Sequence, residues 1–215
     1  RGPGLLLPLG KFCSFIGAES VLEQWDSAQG QVPLSGRNGL ERWMLSRRRG
    51  LDTAVNGGLD SYDAVEPARR SQRFVDDLSN WYIRRSRRRF WKSQSDRDKL
   101  AAYQTLYEVL NSLSRLMAPF APFISDAMYR NLSAGGSVHL ADFPEPSIAQ
   151  DLEVEANMAK ARQVVEQGLA ARDAVRIEVR QPLAAGAVPG DPRPEGSAAG
   201  GGEERNAEHA GLGRA

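Results

Sequence analysis

Five arginines occupy six consecutive positions near the middle of the chain, and aromatic residues stand on both sides of them. The group consists of Arg84, Arg85, Arg87, Arg88 and Arg89, together with Lys92, Trp81 and Trp91. A guanidinium group holds a phosphate through two parallel hydrogen bonds, and an aromatic face stacks on an unpaired base. The combination predicts RNA binding through these eight side chains.

An arginine run has other interpretations, which stay open at this point. It can be a solvated face or a set of ion pairs within the protein. It can also belong to a helical module that binds an acidic protein, or to an amphipathic helix that lies on an anionic membrane. The interleaved aromatic residues favour RNA.

A long helix must carry these side chains, and the apolar pattern predicts it from about residue 63 to residue 91. At about 100° per residue, one arc faces a core and contains Phe74, Val75, Leu78, Trp81 and Tyr82. Arg85 and Arg89 extend the same arc, so a buried guanidinium there would need a carboxylate or carbonyl partner. Asp76 and Asp77 lie too far toward the N-terminus to pair with them at i, i+4 spacing.

Three further helices are predicted around the long one. Asn38 and Glu41 have capping-box spacing and open a helix that we expect to end at Gly57–Gly58. A clearly amphipathic helix follows the break at Ser95 and Asp98, and prolines at 119 and 122 stop it. A shorter helix covers 123–132. Short loops between helices predict an all-α fold, an antiparallel helical bundle.

The rest of the chain predicts a small α+β appendage. Residues 137–140 form an extended piece, and a helix runs from about 150 to 172. Val175, Ile177 and Val179 then alternate with charged residues, which is the pattern of a half-buried strand. From 184 to 215 Gly, Ala and Pro dominate, and we expect a disordered tail.

Composition excludes several classes of site. Cys13 is the single cysteine and the two histidines, His139 and His209, lie far apart, so we expect no disulfide and no metal site. No apolar run is long enough to span a bilayer, and the default expectation is a cytoplasmic protein. Net charge is only +1, but residues 69–92 are strongly basic. Local patches of this kind mark phosphate-binding surfaces.

Residues 5–183 resemble the C-terminal part of the isoleucyl-tRNA synthetases, which are class I aminoacyl-tRNA synthetases. The most specific element is the run Phe74–Trp91. Supporting motifs are Leu7-Pro8-Leu9, Glu41-Arg42-Trp43-Met44, Ala118-Pro119-Phe120-Ala121-Pro122-Phe123 and Val179-Arg180-Gln181-Pro182-Leu183.

The resemblance implies a division into four parts. Residues 1–35 would be a remnant that connects to a missing catalytic domain, and 36–146 the anticodon-binding helical bundle. Residues 147–183 would begin a truncated C-terminal module, before the tail at 184–215. The implied partners are tRNA(Ile) and the catalytic domain of the same enzyme, with no membrane, and we expect a monomer.

The parent reaction implied by the resemblance joins isoleucine to its tRNA with ATP and Mg. The nucleotide-binding elements of class I synthetases, a His-x-Gly-His sequence and a Lys-Met-Ser-Lys-Ser loop, do not occur in these 215 residues. We therefore expect no catalytic residues and no cofactor in this chain, and no isoleucine–tRNA ligase activity from the chain alone.

Overall fold

The computed structural model describes residues 31–92, 96–133, 136–145 and 149–182, without the side chains of 91, 92 and 96. Within these ranges the chain is helical and has no β-strand, which confirms the predicted all-α class. The helices are α1 (Gly39–Asp60), α2 (Val65–Asp77), α3 (Arg84–Lys92), α4 (Asp96–Met117), α5 (Pro122–Leu132) and α6 (Leu152–Ala174). Short 3-10 turns lie at Leu34–Gly36 and Val138–Leu140.

A single continuous helix carries the arginine run. The π-helical segment Leu78–Ile83 joins α2 to α3 without a break, so the chain is helical from Val65 to Lys92. We call this whole stretch the arginine helix. Its bounds agree with the predicted helix over 63–91 to within two residues.

The first helix begins as predicted and ends later than predicted. Asn38 Oδ1 accepts a hydrogen bond from the Glu41 amide at 3.0 Å, and the Asn38 amide donates to Glu41 Oε2 at 2.8 Å, which confirms the capping box. The helix continues past Gly57–Gly58 to Asp60. Glycine weakens a helix but does not end it, and the ring of Pro67 fills the space where a side chain on Gly58 would lie.

The helices of residues 31–161 share one apolar core, with α4 at its centre. The predicted apolar face of α4 is confirmed at five positions that are buried: Tyr103, Leu106, Leu110, Leu113 and Met117. They pack with buried residues of α1 and of the arginine helix, which include Trp43, Met44, Leu45, Val55, Phe74, Leu78 and Tyr82. Burial of these large side chains supplies the main force that holds the helices together.

Two predicted extended pieces are wrong. Residues 138–140 form a 3-10 turn, in which Asp126 Oδ1 accepts from the Ser137 hydroxyl at 2.7 Å and from the Val138 amide at 3.0 Å. Residues 175–180 form turns instead of a strand. A lone strand has no neighbour for its backbone groups, and here the Ile177 amide bonds back to the Arg172 carbonyl at 2.9 Å.

The chain divides into two units, residues 1–161 and residues 162–215. In the first unit, the start of α6 is held by Arg42, whose Nη2 lies 2.6 Å from Asp151 Oδ2, and by Ser46. In the second unit, Arg172 Nη1 donates to the carbonyls of Glu178 and Gln181 at 2.8 and 2.9 Å. The predicted remnant up to residue 30, the cap at Ser95 and the predicted disordered tail lie outside the described residues.

Candidate nucleic-acid interface

A π-helical turn sets which side of the arginine helix faces the core. Past Leu78 the buried positions recur every four residues, at Tyr82, Ser86 and Phe90. A π turn holds one more residue than an α turn, so the helix beyond it is rotated by about 100° relative to an unbroken α-helix. Ser86 and Phe90 thus take the core-facing places that the sequence pattern gave to Arg85 and Arg89. That part of the helical-arc prediction is wrong for Arg85, which is exposed. Arg89 is partly buried and has the carboxylate and carbonyl partners that the prediction required.

Hydrogen bonds from two tyrosines fix the arginine helix against α4. The Tyr82 hydroxyl donates to the Ala102 carbonyl at 3.1 Å, and the Tyr103 hydroxyl donates to the Phe90 carbonyl at 3.0 Å. The rings of Phe90 and Tyr103 stack with their centroids 5.3 Å apart. These contacts hold the arginine helix in one orientation against α4, so the side of α3 that faces away from α4 is also fixed.

Four arginines of the run lie on that outer side. Arg84, Arg85, Arg87 and Arg88 are exposed, whereas Trp81 is half-buried. The Arg85 guanidinium carbon lies 4.7 Å from the centroid of the Trp81 ring, a cation–π contact. In the described ranges, no carboxylate lies within ion-pair distance of Arg84, Arg85 or Arg88. These three guanidiniums are therefore available to an anion from outside.

Arg89 takes a different place from the predicted phosphate contact. Its Nη2 lies 2.6 Å from Glu41 Oε1 and 2.6 Å from Asp98 Oδ1, and its Nε donates to Asp98 Oδ2 at 2.8 Å. Burial by itself would lower the pKa of Arg89, but the hydrogen bonds to Asp98 and Glu41 raise it above its ordinary value. Arg89 is a cation held by this protein's own carboxylates, unlike the exposed Arg84, Arg85 and Arg88.

Sequence reasoning missed both partners of Arg89. Glu41 is completely buried and serves twice, in the capping box of α1 and in the pair with Arg89. The capping spacing identified its first role, but nothing in the sequence relates it to an arginine 48 positions away. Asp98 was identified only through its spacing from Ser95. The predicted contacts at Trp91 and Lys92 lie outside the described side chains.

Comparison with known proteins identifies the class of domain. Residues 41–186 match the family model for the anticodon-binding domain of tRNA ligase. The match covers more than half of the chain, so the chain belongs to this family. No helix in the described part of the chain combines the length and apolarity needed to cross a membrane.

Curated relatives narrow the resemblance to one kind of ligase. The isoleucine–tRNA ligase of Dehalococcoides mccartyi strain CBDB1 is 47% identical over 190 residues, which cover 83% of this chain and 18% of that protein. The ligase of Deinococcus radiodurans is 44% identical over 173 residues, covering 80% and 16%. That of Porphyromonas gingivalis is 41% identical over 178 residues, covering 81% and 16%. The resemblance to isoleucyl-tRNA synthetases is confirmed, and the chain spans less than a fifth of these relatives' length.

Proposed function

We propose that the chain binds the anticodon stem-loop of tRNA(Ile) as one part of an isoleucine–tRNA ligase. Arg84, Arg85 and Arg88 contact phosphates, and Arg87 lies on the same surface. The cation–π contact with Trp81 holds the Arg85 guanidinium in place. The observation that carries the proposal is the exposure of Arg84, Arg85 and Arg88, which have no carboxylate partner among the described residues, on a helix whose orientation is fixed. The family match and the names of the relatives support RNA as the ligand.

The division of labour within the ligase is part of the proposal. Residues 36–146 form the antiparallel anticodon-binding bundle, and 147–183 begin a further module. Formation of the isoleucyl adenylate, with ATP and Mg, takes place in the rest of the enzyme, because neither nucleotide-binding motif occurs in this sequence. The chain alone is then inactive in isoleucine-dependent exchange of pyrophosphate into ATP.

Salt dependence of binding tests the arginine surface. Each phosphate contact contributes about 0.7 to 0.9 to the slope of log K against log salt concentration. The triple variant Arg84→Gln, Arg85→Gln, Arg88→Gln should therefore flatten the slope for an anticodon stem-loop by roughly 2 to 3. Fluorescence anisotropy with a labelled stem-loop at several salt concentrations measures it.

A matched variant removes three exposed positive charges elsewhere: Arg130→Gln, Lys160→Gln and Arg180→Gln. It should leave the slope nearly unchanged, because these residues lie on α5, α6 and the final turns. If both triple variants flatten the salt slope equally, the change comes from the net charge of the protein and not from this surface. Equal affinity for the stem-loop, for heparin and for anionic vesicles would instead favour a nonspecific or membrane-binding surface.

A further inference from the structure

A small cavity lies where the end of α4 meets residues 138–143. Its volume is about 230 Å³, and its apolar lining includes Ala118, Val138 and Phe143. Arg115 and His139 also line it, and no carboxylate of the described residues does. A water molecule takes up about 30 Å³ in the liquid, so the cavity has room for about seven non-hydrogen atoms. This lining suits a small molecule that has an apolar part and an anionic part.

Arg115 reaches the cavity without an ion pair. Its Nε and Nη1 donate to the backbone carbonyls of Asn111 and Asp142 at 3.4 and 3.3 Å, which are long hydrogen bonds. Within the described ranges, no carboxylate lies at ion-pair distance from Arg115. The carboxylate of Asp126 is already paired with Arg130, at 2.7 Å. A guanidinium has five N–H donors, so Arg115 retains donors for an acceptor that enters the cavity.

Arg115 also belongs to a cluster of arginines around the buried Asp52. Burial raises the pKa of Asp52, and the guanidiniums of Arg48, Arg49 and Arg115 lower it. Arg48 is only 9% exposed, yet its Nε lies 3.8 Å from Asp52 Oδ2, too far for a hydrogen bond. Arg48 Nε and Arg49 Nη1 are buried and have no hydrogen-bond partner in the part of the chain that the structure describes. Three guanidiniums therefore share one carboxylate.

The excess of positive charge in this cluster favours an anion beside it. A buried cation that lacks a partner is unfavourable, because it has lost its hydration and gained no compensating charge. The C-terminal end of α4, close to Arg115, carries a partial negative charge of about half a unit. This is smaller than the charge of the two guanidiniums that Asp52 leaves unbalanced. An anion in the cavity would therefore stabilise the whole cluster through Arg115.

We propose that the cavity at Arg115 binds a small organic anion, a monocarboxylate with a short apolar chain. The carboxylate accepts hydrogen bonds from the Arg115 guanidinium, whose paired N–H groups match its geometry. The chain packs against Pro119, Val138 and Phe143, and it covers part of the Phe143 ring, which is 37% exposed. An inorganic oxyanion suits the cavity less well, because the apolar lining would leave most of its hydrogen bonds unmade.

Butyrate and three related molecules test the class of ligand. The full chain, labelled with nitrogen-15, is titrated with each, and the amide resonances of residues 115–118 and 138–143 are followed by NMR. Butyrate should shift these resonances saturably. Butyramide has nearly the same shape and no charge, so it should bind at least about tenfold more weakly. Acetate lacks two methylenes, each worth about fourfold in affinity, and should be weaker by about tenfold. Sulfate should cause no saturable shift at these residues.

Two variants test the charge that would hold the ligand. Arg115→Gln should weaken butyrate binding at least about tenfold, because it removes charge-assisted hydrogen bonds. Arg172→Gln is the matched control, since Arg172 also donates to backbone carbonyls near the end of a helix, and it should change the affinity less than about twofold. Asp52→Asn removes the carboxylate that competes for the same cations and keeps its shape. It should tighten butyrate binding at least about threefold, whereas a purely structural role of Asp52 predicts no gain.

Several results would overturn the inference. Equal affinity for butyrate and butyramide would mean that the cavity does not select an anion, and sulfate binding as tight as butyrate binding would mean that it does not select an organic one. Unchanged affinity in Arg115→Gln, or no tighter binding in Asp52→Asn, would remove the arginine cluster from the site. If Arg115→Gln does not fold, Asp52→Asn and the comparison with butyramide still decide the question. The RNA proposal is tested separately, through the salt slope at Arg84, Arg85 and Arg88.

Discussion

Helix α1 carries two buried carboxylates, and the regions around them differ in how well the charge is matched. Near its start, Glu41 has no exposed surface and lies 2.6 Å from the Arg89 guanidinium. In its second half, Asp52 is 1% exposed, yet Arg48 Nε is 3.8 Å away and Ser112 donates at 3.1 Å. Burial raises the pKa of Asp52 to about 6, and Arg48 and Ser112 lower it only in part.

The difference separates a region of close ion pairs from a region whose buried charge is only partly compensated. Where Glu41, Arg89 and Asp98 meet, the ion pairs are short and join α1, α3 and α4. This arrangement holds the outer arginines in one orientation. In the other region Asp52 has one hydrogen bond from Ser112 and a guanidinium 3.8 Å away, so the cost of burying its charge is offset only in part. One region positions the exposed arginines of α3, and the other contains a buried carboxylate whose pKa is raised.

The largest expected effect comes from breaking the pair at the fixed end. Arg89→Met leaves the buried Glu41 without its guanidinium, and removal of one partner of a buried pair costs about 3 to 5 kcal/mol. Urea unfolding followed by circular dichroism measures the free energy of unfolding.

The neighbouring exposed arginine provides the control. Arg88→Met should change the free energy of unfolding by less than about 0.5 kcal/mol, because surface substitutions usually do. If Arg89→Met lowers the free energy of unfolding by less than about 1 kcal/mol, the charge of Glu41 is no better compensated than that of Asp52. The two regions would then not differ in this respect.

In the other region, Asp52 should make the free energy of unfolding depend on pH. Its pKa is raised in the folded state from 3.8 to about 6, so the folded protein binds more protons than the unfolded chain between these values. The stabilisation is complete below pH 3.8 and is lost as pH rises through about 6, a change of about 3 kcal/mol.

Asparagine cannot ionise, so the Asp52→Asn variant should not lose stability in this way as pH rises. The variant should gain about 3 kcal/mol relative to the wild type between pH 3.5 and pH 7, measured by urea unfolding at a series of pH values. Taking the difference between the two proteins cancels the other titrating groups. Parallel curves would mean that Asp52 is matched as well as Glu41.

The smallest expected effect on stability comes from Gly57 and Gly58, two adjacent glycines near the end of α1. A Cβ on Gly58 would lie 2.2 Å from Pro67 Cγ and 3.1 Å from the Asp63 carbonyl oxygen, whereas a Cβ on Gly57 meets nothing within 4 Å. Gly58→Ala should therefore destabilise by about 1 to 3 kcal/mol. Gly57→Ala should stabilise by about 0.5 to 1 kcal/mol, because alanine is the better helix former.

Thermal unfolding of the two variants gives the comparison directly. Opposite shifts of the melting temperature are expected from substitutions one residue apart. If both variants are more stable, α1 and α2 can move apart where Gly58 and Pro67 meet, and their contact is less close than the structure indicates.

Sequence patterns predicted the helices well because each carries its own periodic apolar face and its own end signals. The capping box at Asn38 and Glu41 and the apolar face of α4 depend only on nearby residues, and both are confirmed. The strand predicted at 175–179 failed for the opposite reason. Alternation favours a strand only when a second strand satisfies its backbone, and the sequence offered no partner.

The sequence by itself determined the all-α class, the membership of the anticodon-binding family and the presence of a basic, aromatic helix, because these reside in composition, local periodicity and motif order. Only the tertiary structure decided which arginines face outward. The π turn at Leu78–Ile83 rotates α3 so that Ser86 and Phe90 enter the core, and the fold brings Glu41 and Asp98 to Arg89. Both outcomes depend on residues that pack together from distant parts of the chain, which no local pattern records.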